Sequence, residues 1–443
     1  MYRHGFKPTL MVLTLSMGMF FLSRATVLAL PSYARQTGMS CNLCHTAFPE
    51  VTSFGRTFKA SGYTLSQMKK IQSPETASLA PLELNDTLPL SAMIQVADTS
   101  TDKSQPGTQN NDVQFPQQLS LFLAGEITPH IGSFLQVTYT QVDDNITMDN
   151  TDLRFADQTQ LGGKPLVYGL TLNNNPTVED LWNSTPAWGF PYAGPDVAPA
   201  PAAGAVIDGA LAQEVAGLGG YAFWDNSYYA AVAFYRSAQI GGTSPPDDTS
   251  TDTVDNTVPY WRLAWQHTMP DSYFELGTYG LYAELYPDGI HGNTDRYTDY
   301  GFDASYGKRF GNDHLSLHAT YIYEDQNLKA SAPLDTDHHL NTYRLDASYY
   351  LNGIVGLTAA FFNIDGDSNP SVYSPSPLDG SRNGKPDSQG WIGQISYFPW
   401  QNVRLSAQYT WYTKFNGASN NYDGFGRDAS DNNTLYLLAW LMW

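Results

Sequence analysis

The chain is poor in charge, poor in cations and almost without thiols. Charged residues make up 15% of its 443 positions, well below the quarter usual in soluble domains. Only 23 are Lys or Arg against 43 Asp or Glu, a formal charge of −20. That balance excludes a phosphate-binding face and with it a nucleic-acid partner. After the first thirty residues no run of eighteen apolar residues occurs, which excludes a transmembrane helix. Nucleophile elbows, phosphate loops and paired catalytic carboxylates are also missing. What the chain has in quantity is aromatic residues, 14% with 29 Tyr, between stretches of Gly, Asn, Asp, Thr and Ser. That mixture suits many short strands joined by polar loops rather than a helical bundle.

The first residues read as a secretory signal. Arg3, His4 and Lys7 form a positive end, Thr9–Leu22 an apolar core, and Val27-Leu28-Ala29 a small-residue cleavage site after Ala29. Export is expected, with residues 1–29 removed.

The two cysteines stand together in Cys41-Asn42-Leu43-Cys44-His45. This CxxCH spacing is that of c-type haem attachment. Two thiols three positions apart can each add to a vinyl group on one porphyrin edge, and the next imidazole can then ligate the iron. A disulfide, a redox CxxC and half of a zinc site compete with this reading. Zinc needs further ligands nearby, and no Cys or His follows within eighty residues; a redox CxxC wants a βαβ setting, which is absent. One haem c on Cys41 and Cys44, with His45 as axial ligand, is the expectation. Met68 is the nearest downstream candidate for the sixth ligand, with His130 a more distant one; ordinary apolar packing competes for Met68. Phe48, Phe54 and Phe58 are expected to pack the macrocycle, and Arg56 and Lys59 to meet its propionates or face solvent. The haem segment (30–80) has too few residues for a core of its own and is expected to dock on the rest of the chain.

From about residue 81 to 443 the hydrophobic period is two. In Val403–Thr413 the residues Val403, Leu405, Ala407, Tyr409 and Trp411 share one face, and Arg404, Ser406, Gln408 and Thr410 the other. Tyr343–Leu351 alternates in the same way. Sixteen candidate strands fit, among them 90–98, 131–141, 151–160 and 403–415. Tight links such as 162–165, 311–313 and 352–353 alternate with long ones such as 241–257, 365–388 and 416–433. Segregated short and long links, and an aromatic last strand, predict a 16-stranded, porin-like outer-membrane β-barrel with long loops outside and short turns in the periplasm. The expected fold class is therefore mainly β, preceded by a small α-helical monohaem segment. Asp303, His318, Arg344, Asp346 and Arg404 fall on the inward parity, to line an ion path, contact a plug or simply wet the lumen. The Pro- and Gly-rich stretch 183–206 is a loop and a candidate to enter the lumen. His291, His338 and His339 are expected in outer loops.

The run Ala34–Tyr63 resembles the fused cytochrome–porins of the outer membrane, typified by the iron-oxidising cytochrome of iron-oxidising bacteria. The resemblance lies in Ala34 to Gly38 before the haem cysteines, Phe48-Pro49 after the histidine, and Phe54 to Lys59; it covers about thirty residues, and the barrel matches in layout only. It implies an oxidoreductase that takes single electrons from ferrous iron at the cell surface and passes them to a periplasmic c-type cytochrome or copper protein. Haem attachment carries over onto Cys41 and Cys44, and axial ligation onto His45. Two other readings stay open: electron exchange with a donor other than iron, and a transport porin in which the haem is a structural plug.

Overall fold

The computed structural model describes residues 30–65, 68–72, 83–238 and 246–443. The expected signal (1–29) and the expected 80/81 boundary lie outside the described residues. Strong period-two alternation produces sixteen long antiparallel strands: β1 (Leu90–Thr101), β2 (Asp112–Thr128), β3 (Ile131–Thr140), β4 (Asn145–Leu161), β5 (Lys164–Asn173), β6 (Val215–Trp224), β7 (Tyr228–Ser237), β8 (Val258–Met269), β9 (Ser272–Asp288), β10 (Asp295–Phe310), β11 (Asp313–Asn327), β12 (Asp337–Leu351), β13 (Val355–Gly366), β14 (Ser388–Trp400), β15 (Val403–Lys414) and β16 (Thr434–Met442). Each pairs with its chain neighbour. β16 closes on β1, from Thr434 opposite Thr101 to Met442 opposite Met93, so no strand edge is left open. A short strand, Thr251–Val254, adds to β9 at the outer rim.

The alternation sorts the faces as expected. Tyr343, Leu345 and Leu351 on β12 point out, while Arg344, Asp346 and Tyr350 point in. Leu121, Leu170, Phe234, Leu263, Phe302, Leu345 and Ile395 are among the large apolar residues that stand half-exposed on the outer wall. This surface far exceeds what a water-soluble monomer tolerates. Trp224, Tyr228, Phe310, Trp400 and Trp443 sit beside the short turns and form one interfacial aromatic belt.

All seven tight turns fall where expected. One outer link differs: β4 begins at Asn145, so 141–144 is itself a tight turn. His338 and His339 also differ, lying at the start of β12 rather than in a loop. His338 points inward and is buried; its Nε2 meets the Asp335 carbonyl at 2.8 Å.

Two segments fill the lumen. One is the N-terminal segment, with helices α1 (Pro31–Thr37) and α2 (Ser53–Ala60). The other is the β5–β6 loop (174–214), which folds inward and buries Trp182, Ala205, Ile207 and Leu211 against the wall. The Trp182 indole N–H donates to Gln266 Oε1 at 2.9 Å. Arg262 on β8, fully buried, meets Asp180 of the loop at 2.9 Å and Asp303 of β10 at 3.0 Å.

Candidate functional site

The site begins at α1. Pro31 opens the helix, where its missing N–H costs nothing, and Gly38 closes it at φ +67°. The helix docks on the inner wall: the Ser32 backbone N–H donates to Ser91 Oγ (2.7 Å), Gln36 Nε2 to the Ala124 carbonyl (2.9 Å) and Tyr33 OH to the Ser133 carbonyl (2.7 Å). These partners lie toward the ends of β1, β2 and β3 next to the short turns, so the segment occupies the periplasmic half of the lumen.

Cys41–Leu43 then form one 3₁₀ turn, and the His45 N–H donates to the Cys41 carbonyl at 3.0 Å. That turn sets both thiols and the imidazole on one short arc. Thr52 caps α2 by accepting from the Gly55 N–H (3.1 Å) and donates its hydroxyl to the Leu43 carbonyl (2.5 Å), tying helix to turn. Gly55 lies so close that a Cβ there would stand 2.2 Å from the Cys44 carbonyl oxygen. Only glycine lets α2 pack on the CxxCH turn.

Cys44 and His45 line a lumenal cavity of about 350 Å³, within the size range of ligand pockets. The His45 Nδ1–H, in the tautomer this geometry favours, donates to the Glu50 carbonyl at 3.1 Å. That leaves Nε2 with a free lone pair, the arrangement of a metal-ligating histidine. Burial pushes the imidazole down to about 4, so it is neutral at ordinary pH, and pushes the Cys44 thiol up to about 11, helped by Cys41. Cys44, the neutral imidazole and the aromatic walls line the cavity as a thioether-linked porphyrin would require, with Cys41 one 3₁₀ turn before Cys44 and outside the lining.

The cavity is polarised along the barrel axis. Met93, Phe122 and Phe134 line its periplasmic side. Gln95, Gln118, Gln136, Asp149 and Asn150, further toward the long-loop ends of β1 to β4, line the outer side.

The expected auxiliary residues divide. Phe48 and Phe58 line the cavity; Phe54 packs in the cluster behind it. Lys59 lines it too, its ammonium 2.8 Å from the Val178 carbonyl and over the Trp188 ring, with burial lowering it to about 7. Arg56 does not line it: the guanidinium lies over Tyr273 on the opposite wall, 4.1 Å from the ring centre. Met68 is buried with Phe58 and Tyr63 behind the cavity and is not among its lining residues. His130 sits in the β2–β3 turn, its Nδ1 3.2 Å from the Ala156 carbonyl, away from the cavity. The inward polar set pairs partly within the wall and partly with the inward loop. Asp303 pairs with Arg262, Arg344 with Asp208 of the inward loop, and His318 Nδ1 lies 2.9 Å from Asp346. Arg404 is ringed by Tyr192, Phe398 and Trp440. Sequence reasoning missed Met93 and Arg262, although both stand on the inward parity of their strands.

A closed sixteen-stranded barrel with an apolar outer wall defines an outer-membrane β-barrel of porin type. The chain resides in the bacterial outer membrane against its lipid, long loops outward and the N-terminal segment inside the barrel. No protein-family model and no curated protein matches the sequence. Among solved structures the chain is similar to the outer membrane channel DcaP of Acinetobacter baumannii (10% identity, 80% of this chain and 96% of that one, TM-score 0.49). It is also similar to an anion-selective porin from Comamonas acidovorans (13%, 80% and 98%, TM-score 0.47) and to OmpT, an outer membrane protein of Vibrio cholerae (10%, 81% and 97%, TM-score 0.44).

Proposed function

We propose that this outer-membrane barrel is an electron conduit of the fused cytochrome–porin kind, which oxidises extracellular Fe(II) and hands single electrons to a periplasmic c-type cytochrome or copper protein. The observation that carries the reading is the cavity: Cys44 and His45 face a lumenal chamber that is aromatic toward the periplasm and polar toward the outside. One haem c, which Cys41 and Cys44 would hold with His45 toward its iron, would supply one-electron chemistry between Fe²⁺ and the acceptor. Glu50 orients His45 through its carbonyl. Phe48, 5.4 Å from the His45 ring, and Trp440, 5.3 Å from Phe48, exclude water from the porphyrin's position. Lys59 offers a propionate partner. Gln95, Gln118, Gln136 and Asp149 offer a hydrophilic approach to a hydrated cation, and outer-sphere transfer asks for no acid or base. A simple diffusion porin fits less well, because two inserted segments occupy the lumen.

The test is the absorption spectrum of the purified, oxidised protein before and after anaerobic addition of Fe²⁺. Reduced c-type bands within seconds are expected, and a Cys44→Ala variant should lose them. A haem that stays oxidised with Fe²⁺ but is reduced by an organic mediator would replace iron with another donor. A colourless protein would end the reading.

A further inference from the structure

Met93 has no role in the barrel that another apolar residue could not fill, yet its surroundings single it out. It is 2% exposed, faces inward from β1, and lines the same cavity as Cys44 and His45. Met39, Met68, Met269 and Met442, the other methionines toward this end of the barrel, do not line it. Met68 packs behind Phe58 and Tyr63, which line the cavity, without lining it itself, and Met442, directly opposite Met93 in the β16–β1 register, packs in the wall. Met93 shares its packing cluster with Trp440 and Phe48, and Phe48 packs edge-on against His45. The Gln95 amide stands 3.9 Å from the Met93 sulfur, a weak donor contact that uses one lone pair and leaves the other.

We propose that Met93, a side chain of the barrel wall, is the second axial ligand of the haem iron, opposite His45. This rests on the haem reading above and deepens it. Histidine–thioether ligation raises a haem's potential relative to two imidazoles. Ferrous iron is a weak reductant and gives up its electron readily only to an acceptor of high potential. The ligand also staples the haem segment to the barrel. The redox centre is then complete only once β1 has been built and the segment has docked. A six-coordinate iron restricts the site to electron transfer, since no position remains for an exogenous ligand.

The experiment uses full-length, haem-loaded protein in detergent or liposomes, with Met93→Leu, Met68→Leu and Met442→Leu compared with the parent. Leucine conserves volume and removes the sulfur, and heat-modifiable gel mobility checks that each barrel has folded. The readouts are the far-red charge-transfer band of thioether-ligated ferric haem, carbon monoxide binding by the ferrous form, and the midpoint potential. Met93→Leu is expected to lose the band, bind carbon monoxide and shift to lower potential, while the other two variants match the parent. Met93→His is expected to give a bis-imidazole spectrum at still lower potential. Persistence of the band in Met93→Leu, its loss in Met68→Leu or Met442→Leu, or a parent protein with covalent haem and no such band overturns the ligation. Absence of covalent haem from the parent, read by the pyridine haemochrome, overturns the haem reading itself and Met93 ligation with it.

Discussion

At the residue scale, the protein depends on a few buried groups whose partners come from distant parts of the chain. Arg262 meets Asp180, Glu275 and Asp303, and all four side chains are fully buried. Removing the cation leaves three carboxylates without it in a place water does not reach. Arg262→Ala should cost about 3–5 kcal/mol, read as a lower guanidinium midpoint by tryptophan fluorescence; an unchanged midpoint would contradict the arrangement. Thr52 is a smaller case, acting as both helix cap and tie to the CxxCH turn. Thr52→Ala should cost about 1 kcal/mol, seen as faster proteolysis of the N-terminal segment with the barrel intact. CxxCH is legible because its chemistry is local, all within five consecutive residues. Arg262 was only half legible: parity places it inward, but its partner Asp180 lies in a loop with no periodicity.

At the element scale, the two inserted segments hold each other as well as the wall. Lys59 of α2 reaches the Val178 carbonyl, and Asn183 Nδ2 of the inward loop donates to the Pro49 carbonyl at 2.8 Å. A deletion spanning 176–212 should therefore do two things. Ion conductance in planar bilayers should rise from a low parent value, and the N-terminal segment should become open to added protease. Unchanged conductance would mean that this loop does not obstruct the lumen. The wall is shaped to receive α2's end: a Cβ on Gly132 would stand 2.1 Å from the Gly62 carbonyl oxygen. Gly132→Val should fold as a barrel and fail to seat the segment, with protease release of the N-terminal peptide as the measurement. The strands were readable because a half-buried β-wall repeats every two residues. The loop's path was not, because Pro and Gly mark where regular structure stops and not where the chain goes next.

At the scale of the whole molecule, closure by an even number of strands puts the start of β1 and the end of β16 on the periplasmic side and the long loops outside. An epitope inserted in the outer link 367–387 should be accessible to antibody on intact cells, and one in the turn 311–312 should become accessible only after the outer membrane is opened. Equal labelling of both would reverse or abolish this orientation. The lumen is then a short path between two compartments, polar at the outer side of the cavity and aromatic at the inner side. That order suits a hydrophilic donor approaching from outside.

The amino-acid sequence by itself determined the barrel, its strand count, the segregation of its links and the CxxCH turn, since each rests on spacing between near neighbours. Only the tertiary structure decided what the lumen holds and which side chains share the cavity of Cys44 and His45. Tyr350 OH donates to Glu50 Oε1 at 2.9 Å across 300 positions of chain, and Met93 stands in the cavity of His45 although a break in the regular pattern separates them. Contacts of that kind exist only after sixteen strands have closed into a ring, and a pattern of period two carries no information about what that ring will enclose.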